Sequence, residues 1–229
     1  RCDGIKNEHG RRQNHCMSSP IYREKVRIID TVLAEHYKDN PAVKLWHISN
    51  EFGGECFCPL CRENFRTFLR NRYHDDIDLL NKQWWNAFWS HTFTSFDQIE
   101  PPSYVGEGAS HGLTLDWKRF VSYITDDFMQ AEIDTVRSIT PDIPVTTNMM
   151  GTYPGMDYWK TAKRLDVISW DAYPQFGGTP GVSDSDTATG IGMVHSLNRS
   201  LLHKPFMIME STPSMVNWRK PICRMKRPG

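Results

Sequence analysis

The chain has 229 residues, of which 39% are hydrophobic and 12% aromatic, enough to build a core and too many for global disorder. Twenty-seven Lys and Arg balance 27 Asp and Glu, which leaves no electrostatic footprint for nucleic acid or an anionic membrane. No apolar run approaches the roughly 18 residues of a membrane-spanning helix.

Residues 19–38 read as a helix: Ser18 or Ser19 can cap it, Pro20 suits its first turn, and Tyr22, Val26, Ile29 and Leu33 recur at helical spacing. Residues 43–50 read as a buried strand, followed by a Gly- and Cys-rich loop. A helix is expected from about Pro59 to Tyr73, with Leu60, Phe65, Phe68 and Leu69 inward, and a short one from Ile77 to Trp85. Residues 86–112 read as a long aromatic loop of the kind that carries function. A long helix follows from about Asp116 to Ser138. Then come a strand over 143–149, a helix over 158–164, a strand over 167–172, a polar loop over 177–189, a helix over 189–202 and a last strand over 205–210.

Strands alternating with helices imply a parallel sheet. In such folds chemistry collects at the C-terminal ends of the strands. Asn50-Glu51, Asn148, Asp171-Tyr173 and Glu210 all fall at those ends, and no Gly-rich phosphate loop follows any strand. A partial (β/α)8 barrel is therefore favoured over a doubly wound sheet. Four strands cannot close a barrel, and Arg1 and Lys226-Arg227-Pro228-Gly229 do not look like natural ends. The expectation is one catalytic barrel domain over residues 1–229, an internal fragment whose other strands lie outside it.

Glu51 and Glu210 each terminate an apolar, strand-like run, where a carboxylate is costly to desolvate without a task or a partner. Two such carboxylates facing one cleft make the acid/base and nucleophile pair of a glycoside hydrolase. Asn50 beside Glu51 can hydrogen-bond a sugar 2-hydroxyl. Trp84, Trp85, Trp89, Trp170 and Trp218 are candidates for stacking on sugar faces, with core packing as the alternative. Cys56, Cys58 and Cys61 form a C-x-C-x2-C cluster near residues 53–61. With Cys16 they supply four thiolates for a tetrahedral structural zinc, and disulfides are the rival. Cys2 and Cys223 are left over. The zinc site would be closed and distant from the chemistry, so no catalytic metal is expected, and the nine His form no close metal pair and read as structural.

These residues together resemble the glycoside hydrolase family 42 β-galactosidases. The resemblance is carried by Trp46 to Gly53, by Cys56-Phe57-Cys58-Pro59 with Cys61, and by Phe65-Arg66 with Phe68-Leu69. It continues through Leu80-Asn81 and Phe88-Trp89-Ser90, Asp97-Gln98-Ile99 with Pro101-Pro102, Ser169-Trp170-Asp171 with Tyr173-Pro174, and Met209-Glu210 with Pro213-Ser214 and Asn217-Trp218. It implies a retaining enzyme in which Glu51 is the general acid/base and Glu210 the nucleophile. It implies that Arg12, Asn50, Trp89, Tyr173 and Trp218 line a galactose subsite, and that Cys16, Cys56, Cys58 and Cys61 bind structural zinc. It further implies a homotrimer as the full-length protein, acting on a β-galactoside or galacto-oligosaccharide, with barrel strands before Arg1 and after Gly229. The Gly53-Gly54-Glu55 link is shorter than in some relatives, which bears on the cleft rim. Two rivals are a retaining barrel glycosidase for arabinosides, glucosides or mannosides, and a non-catalytic carbohydrate-binding scaffold. Reduced thiols favour a cytoplasmic location, and the chain alone is expected to be inactive.

Overall fold

A computed structural model describes residues 3, 5, 6, 8, 14–103, 105, 110–176 and 181–211. The chain divides into two compact units, one of residues 1–33 and 53–135, the other of residues 34–52 and 136–229.

The first unit is helical. Helix α1 (Pro20–Tyr37) begins in it, and α2 (Pro59–Arg72), α3 (Ile77–Trp84) and most of α4 (His111–Ile139) form its body. Phe65, Leu69, Leu80 and Ile99 are fully buried, and Trp117 meets Phe65 edge-on at 5.1 Å. Leu60, expected to face inward with Phe65 and Leu69, is instead 46% exposed because it sits in the first turn of α2, ahead of the core stripe. The stripe on α1 is also open, with Ile29 and Leu33 exposed. What anchors that helix here is Tyr22 stacked on Phe128 at 5.5 Å and Arg23 paired with Asp127 at 2.8 Å. Helix α4 starts earlier than its apolar periodicity suggests. Its first-turn Gly112 lies so close to Trp84 that a Cβ would meet the indole at 2.5 Å, so only glycine fits.

Asp116 is fully buried in this unit. It accepts hydrogen bonds from the Tyr73 hydroxyl at 2.5 Å and Trp84 Nε1 at 2.9 Å, and pairs with Arg72 and Arg119 at 3.1 and 2.8 Å. Trp84 is thus a core residue and not a sugar platform.

The second unit holds the strands: β1 (Trp46–His47), β2 (Val145–Thr146), β3 (Asn148–Met149), β4 (Ile168–Asp171) and β5 (Phe206–Glu210). All pairings are parallel: β1 with β2, and β3 with β4 with β5. Only Thr147 separates β2 from β3, so they occupy one strand position whose partner changes from β1 to β4. The helices α5 (Tyr158–Thr161) and α6 (Asp184–Leu202) form the crossovers that precede β4 and β5. This is the order of a partial (β/α)8 barrel. The run over 43–50 yields only two ladder residues, because Ser49 and Glu51 adopt φ of 49° and 45° and end the extended chain. Helix α6 begins at Asp184, inside the segment expected to be a loop. Ser183 caps it, accepting from Asp186 N, and the Asp186 carboxylate accepts back from Ser183 N at 3.1 Å. Trp170 is 3% exposed on β4 and meets His195 edge-on at 5.3 Å, so it too is core.

Candidate functional site

The strand ends of the second unit bring three carboxylates together. Glu51, Asp171 and Glu210 each offer an oxygen within 4.8 Å of the others. Glu51 and Asp171 are buried and Glu210 is half-buried. Strand register explains the convergence. Asp171 and Glu210 are paired across β4 and β5, and Ala172 N donates to the Glu210 carbonyl at 2.9 Å. Ile48 N donates to the Thr146 carbonyl at 2.8 Å, which extends the β1–β2 ladder towards Glu51. Glu51 then takes up the left-handed backbone region, rare for a residue with a side chain and typical of functional sites.

Polar partners hold this cluster. The Tyr173 hydroxyl donates to Glu210 Oε2. Asn148 Nδ2 lies 2.7 Å from Asp171 Oδ2, 3.1 Å from Asn50 Oδ1 and 3.3 Å from Glu210 Oε1. Asn148 Oδ1 accepts from Glu51 N at 2.8 Å and lies 2.9 Å from His47 Nε2. Of the residues anticipated for the site, Asn50, Glu51, Tyr173 and Glu210 therefore meet. Asn148 and Asp171 stand out at strand ends in the sequence, but nothing in the pattern shows that they contact each other or the two glutamates, and His47 is marked only by its place in the run from Trp46 to Gly53. Trp89 belongs to the first unit, where it is 69% exposed and packs on Phe88 at 4.7 Å. Arg12 and Trp218 lie outside the described residues, as do Cys2 and Cys223.

The first unit carries a second cluster. Cys16, Cys56, Cys58 and Cys61 converge with their sulfurs all within 4.8 Å, and none is in a disulfide. Cys16 Sγ is 3.5 Å from Cys58 Sγ and 3.4 Å from Cys61 Sγ. A tetrahedral ion with bonds of about 2.3 Å to sulfur needs edges of just under 4 Å, so these four can hold a metal. Hydrogen bonds from the Cys16 and Cys61 thiols hold the Cys56 thiol far below its ordinary range, while hydrogen bonds with Cys16 and then Cys56, together with burial, raise Cys61. Several thiolates cannot coexist at this spacing without a cation to offset them. Gly54, at φ 82°, turns the short link between Glu51 and Cys56. Among the described residues no helix is long and apolar enough to cross a membrane.

The chain resembles known proteins along its whole length. The β-galactosidase family model, glycoside hydrolase family 42, matches residues 1–229. The chain is 56% identical over 229 residues to the β-galactosidase Pbg of Clostridium perfringens, covering 98% of this chain and 33% of that protein. It is 54% identical over 227 residues to the β-galactosidase BglY of Alicyclobacillus acidocaldarius, covering 99% and 32%. The solved cold-adapted β-galactosidase of Rahnella sp. R3 superposes with a TM-score of 0.93 at 47% identity, covering 99% of this chain and 33% of that one. The chain thus spans about a third of the length of the relatives it matches. It belongs to the glycoside hydrolase family 42 β-galactosidases.

Proposed function

We propose that the protein carrying this chain hydrolyses terminal β-D-galactosides with retention of anomeric configuration, using Glu51 as general acid/base and Glu210 as nucleophile. One observation carries the reading: in a chain of this family, carboxylate oxygens of Glu51 and Glu210 lie within 4.8 Å of each other. Retaining glycosidases hold their carboxyl groups at about 5–5.5 Å, and inverting ones at about 6.5–9.5 Å to admit a water. Neither rival sugar specificity nor a non-catalytic scaffold is favoured by the relatives, all three of which are β-galactosidases.

Glu210 attacks the anomeric carbon as Glu51 gives its proton to the departing glycosidic oxygen, forming a galactosyl ester. Glu51, now ionised, takes a proton from water, which attacks the same carbon and releases Glu210. Donors from Tyr173 and Asn148 orient Glu210 for the first step. With its Oδ1 engaged by Asn148, the Asn50 amide can donate to the sugar 2-hydroxyl. Arg12, Trp89 and Trp218 complete the galactose subsite by the family resemblance. Residues 1–229 form part of a single catalytic barrel domain, and Cys16, Cys56, Cys58 and Cys61 hold a structural zinc. The working enzyme is a cytoplasmic homotrimer acting on galactosides or galacto-oligosaccharides.

The test is trapping of the intact enzyme with a 2-deoxy-2-fluoro-β-galactoside bearing an activated leaving group. Peptide mapping is expected to find the sugar on Glu210, and Glu210→Gln to abolish both trapping and turnover. A label elsewhere, or near-normal turnover of Glu210→Gln, overturns the assignment.

A further inference from the structure

Asn148 opens β3, is 2% exposed, and touches both proposed catalytic segments through opposite ends of one amide. Its Oδ1 accepts from the Glu51 backbone N–H at 2.8 Å. A backbone N–H can only donate, so the oxygen must lie on that side and the NH2 on the other. The orientation is dictated by chemistry, since the reversed amide would set its NH2 against a donor and its oxygen against two carboxylates. It follows that His47 presents a protonated Nε2 to Oδ1, 2.9 Å away.

On the other side three acceptors share two N–H groups. Asp171 Oδ2 takes the shortest contact at 2.7 Å, with Asn50 Oδ1 and Glu210 Oε1 at 3.1 and 3.3 Å. Asp171 is buried and its carboxylate attracts the donor end of the amide. It thereby fixes the direction of the dipole whose other end holds Glu51. Glu51 needs such a constraint: its φ of 45° is unfavourable for a non-glycine residue and persists only where the surroundings over-determine it.

We propose that Asn148 is a positioning residue that sets both carboxylates at once, its oxygen pinning the strained backbone of Glu51 and its nitrogen aiming Glu210 Oε1, with Asp171 as the anchor that fixes the amide. This rests on the reading of Glu51 and Glu210 as the acid/base and nucleophile. Among the described residues of this unit, the titratable groups facing it are His47, Glu51, Asp171, Tyr173 and Glu210, with Tyr158 bonded to Met150 N beyond.

The experiment uses the intact enzyme with Asn148→Ala and Asn148→Asp, and with Glu210→Gln in parallel. Substrates are 2,4-dinitrophenyl and phenyl β-galactoside, the first needing no acid assistance. Misaimed reacting groups cost on the order of 10²-fold. Asn148→Ala is therefore expected to lower kcat by about 10²-fold on the dinitrophenyl substrate and by more on the phenyl one, where the acid is also misplaced, to leave KM within about threefold, and to slow fluorosugar trapping of Glu210 by about 10²-fold. Asn148→Asp keeps an acceptor for Glu51 N–H, nearly isosteric, but removes both N–H donors and adds a carboxylate beside Glu210. Like charge disfavours the ionised nucleophile, so the acidic limb of kcat/KM moves to higher pH. A merely structural role would lower the melting temperature without moving that limb or the trapping rate of folded enzyme. The proposal is overturned if kcat stays within about threefold and the limb does not move while Glu210→Gln is inactive. An active Glu210→Gln would instead remove the underlying assignment. Should Asn148→Ala fail to fold, the isosteric Asn148→Asp decides.

Discussion

Tyr173 lies two residues beyond β4 and donates its phenolic proton to Glu210 at the end of β5, so the neighbouring strand supplies a donor to the proposed nucleophile. Tyr173→Phe removes that donor and little volume. In the intact enzyme kcat for aryl β-galactosides is expected to fall by about 10–10²-fold with a smaller change in KM, since a hydrogen bond to a charged group is worth about 1.5–3 kcal/mol. Steady-state kinetics of the folded variant checks this.

Asp116 collects two hydrogen bonds and two arginines in the interior of the first unit. Asp116→Ala leaves the Tyr73 hydroxyl and Trp84 Nε1 buried without their acceptor. Breaking a buried charged network of this kind costs roughly 3–5 kcal/mol. Denaturant unfolding of the intact protein should show that loss, with the urea midpoint falling and no effect on the order of fluorosugar trapping in whatever folds.

Asp30 on α1 has its pKa raised to about 6 by burial, and its Oδ2 has no hydrogen-bond partner among the described residues. In the unfolded chain the same group titrates near its ordinary value of about 3.9. The folded state therefore binds more protons between those two values, and stability falls as pH rises through that window. Asp30→Asn removes this slope. The stability of the variant relative to the parent should grow from pH 4 to pH 6 and level off above it, as read by unfolding at each pH.

Removing metal should act on structure and not on chemistry. Incubating the intact enzyme with a strong chelator, or replacing Cys61 by Ser, is expected to release about one zinc per chain and lower the melting temperature, since structural zinc contributes folding energy. Metal analysis alongside calorimetry checks both. Unchanged zinc content in Cys61→Ser would exclude that residue as a ligand.

The chain presents β5 with Met207 and Ile208 at 40% and 45% exposure, and an open apolar stripe on α1. Unpaired strand edges and uncovered apolar faces favour association. A polypeptide of these 229 residues alone is expected to aggregate or turn over no galactoside, whereas the intact protein hydrolyses it. Light scattering and an aryl galactoside assay distinguish the two.

The features legible in the sequence were those carried by local pattern. Apolar runs ending on Glu51 and Glu210, a C-x-C-x2-C spacing, and helix signals such as Pro20 and Pro59 each act over a few residues. The contacts that tie the site together span 97 residues between Glu51 and Asn148, 62 between Asn148 and Glu210, and 23 between Asn148 and Asp171. They depend on strand register, which no local pattern states. The same limit explains the tryptophans. Trp84 and Trp170 look like sugar platforms by residue type, but register and helix phase bury them. The early start of α6 was present in the sequence as Ser183 and Asp186, hidden within a polar stretch that also reads as a loop.

The cysteine cluster has a topological consequence. Cys16 and Cys61 are 45 residues apart, and the chain between them leaves the first unit, contributes β1 and Glu51 to the second, and returns. An ion held by these sulfurs turns that excursion into a closed loop. In a chain-entropy picture, closing a loop of this length removes about 4 kcal/mol of freedom from the unfolded ensemble. The segment that delivers Glu51 would then be tethered at both ends, at Cys16 well before it and at Cys56 just after it. Loss of the ion would then be felt as lost folding stability, while the chemistry of whatever stays folded is left to the strand ends themselves.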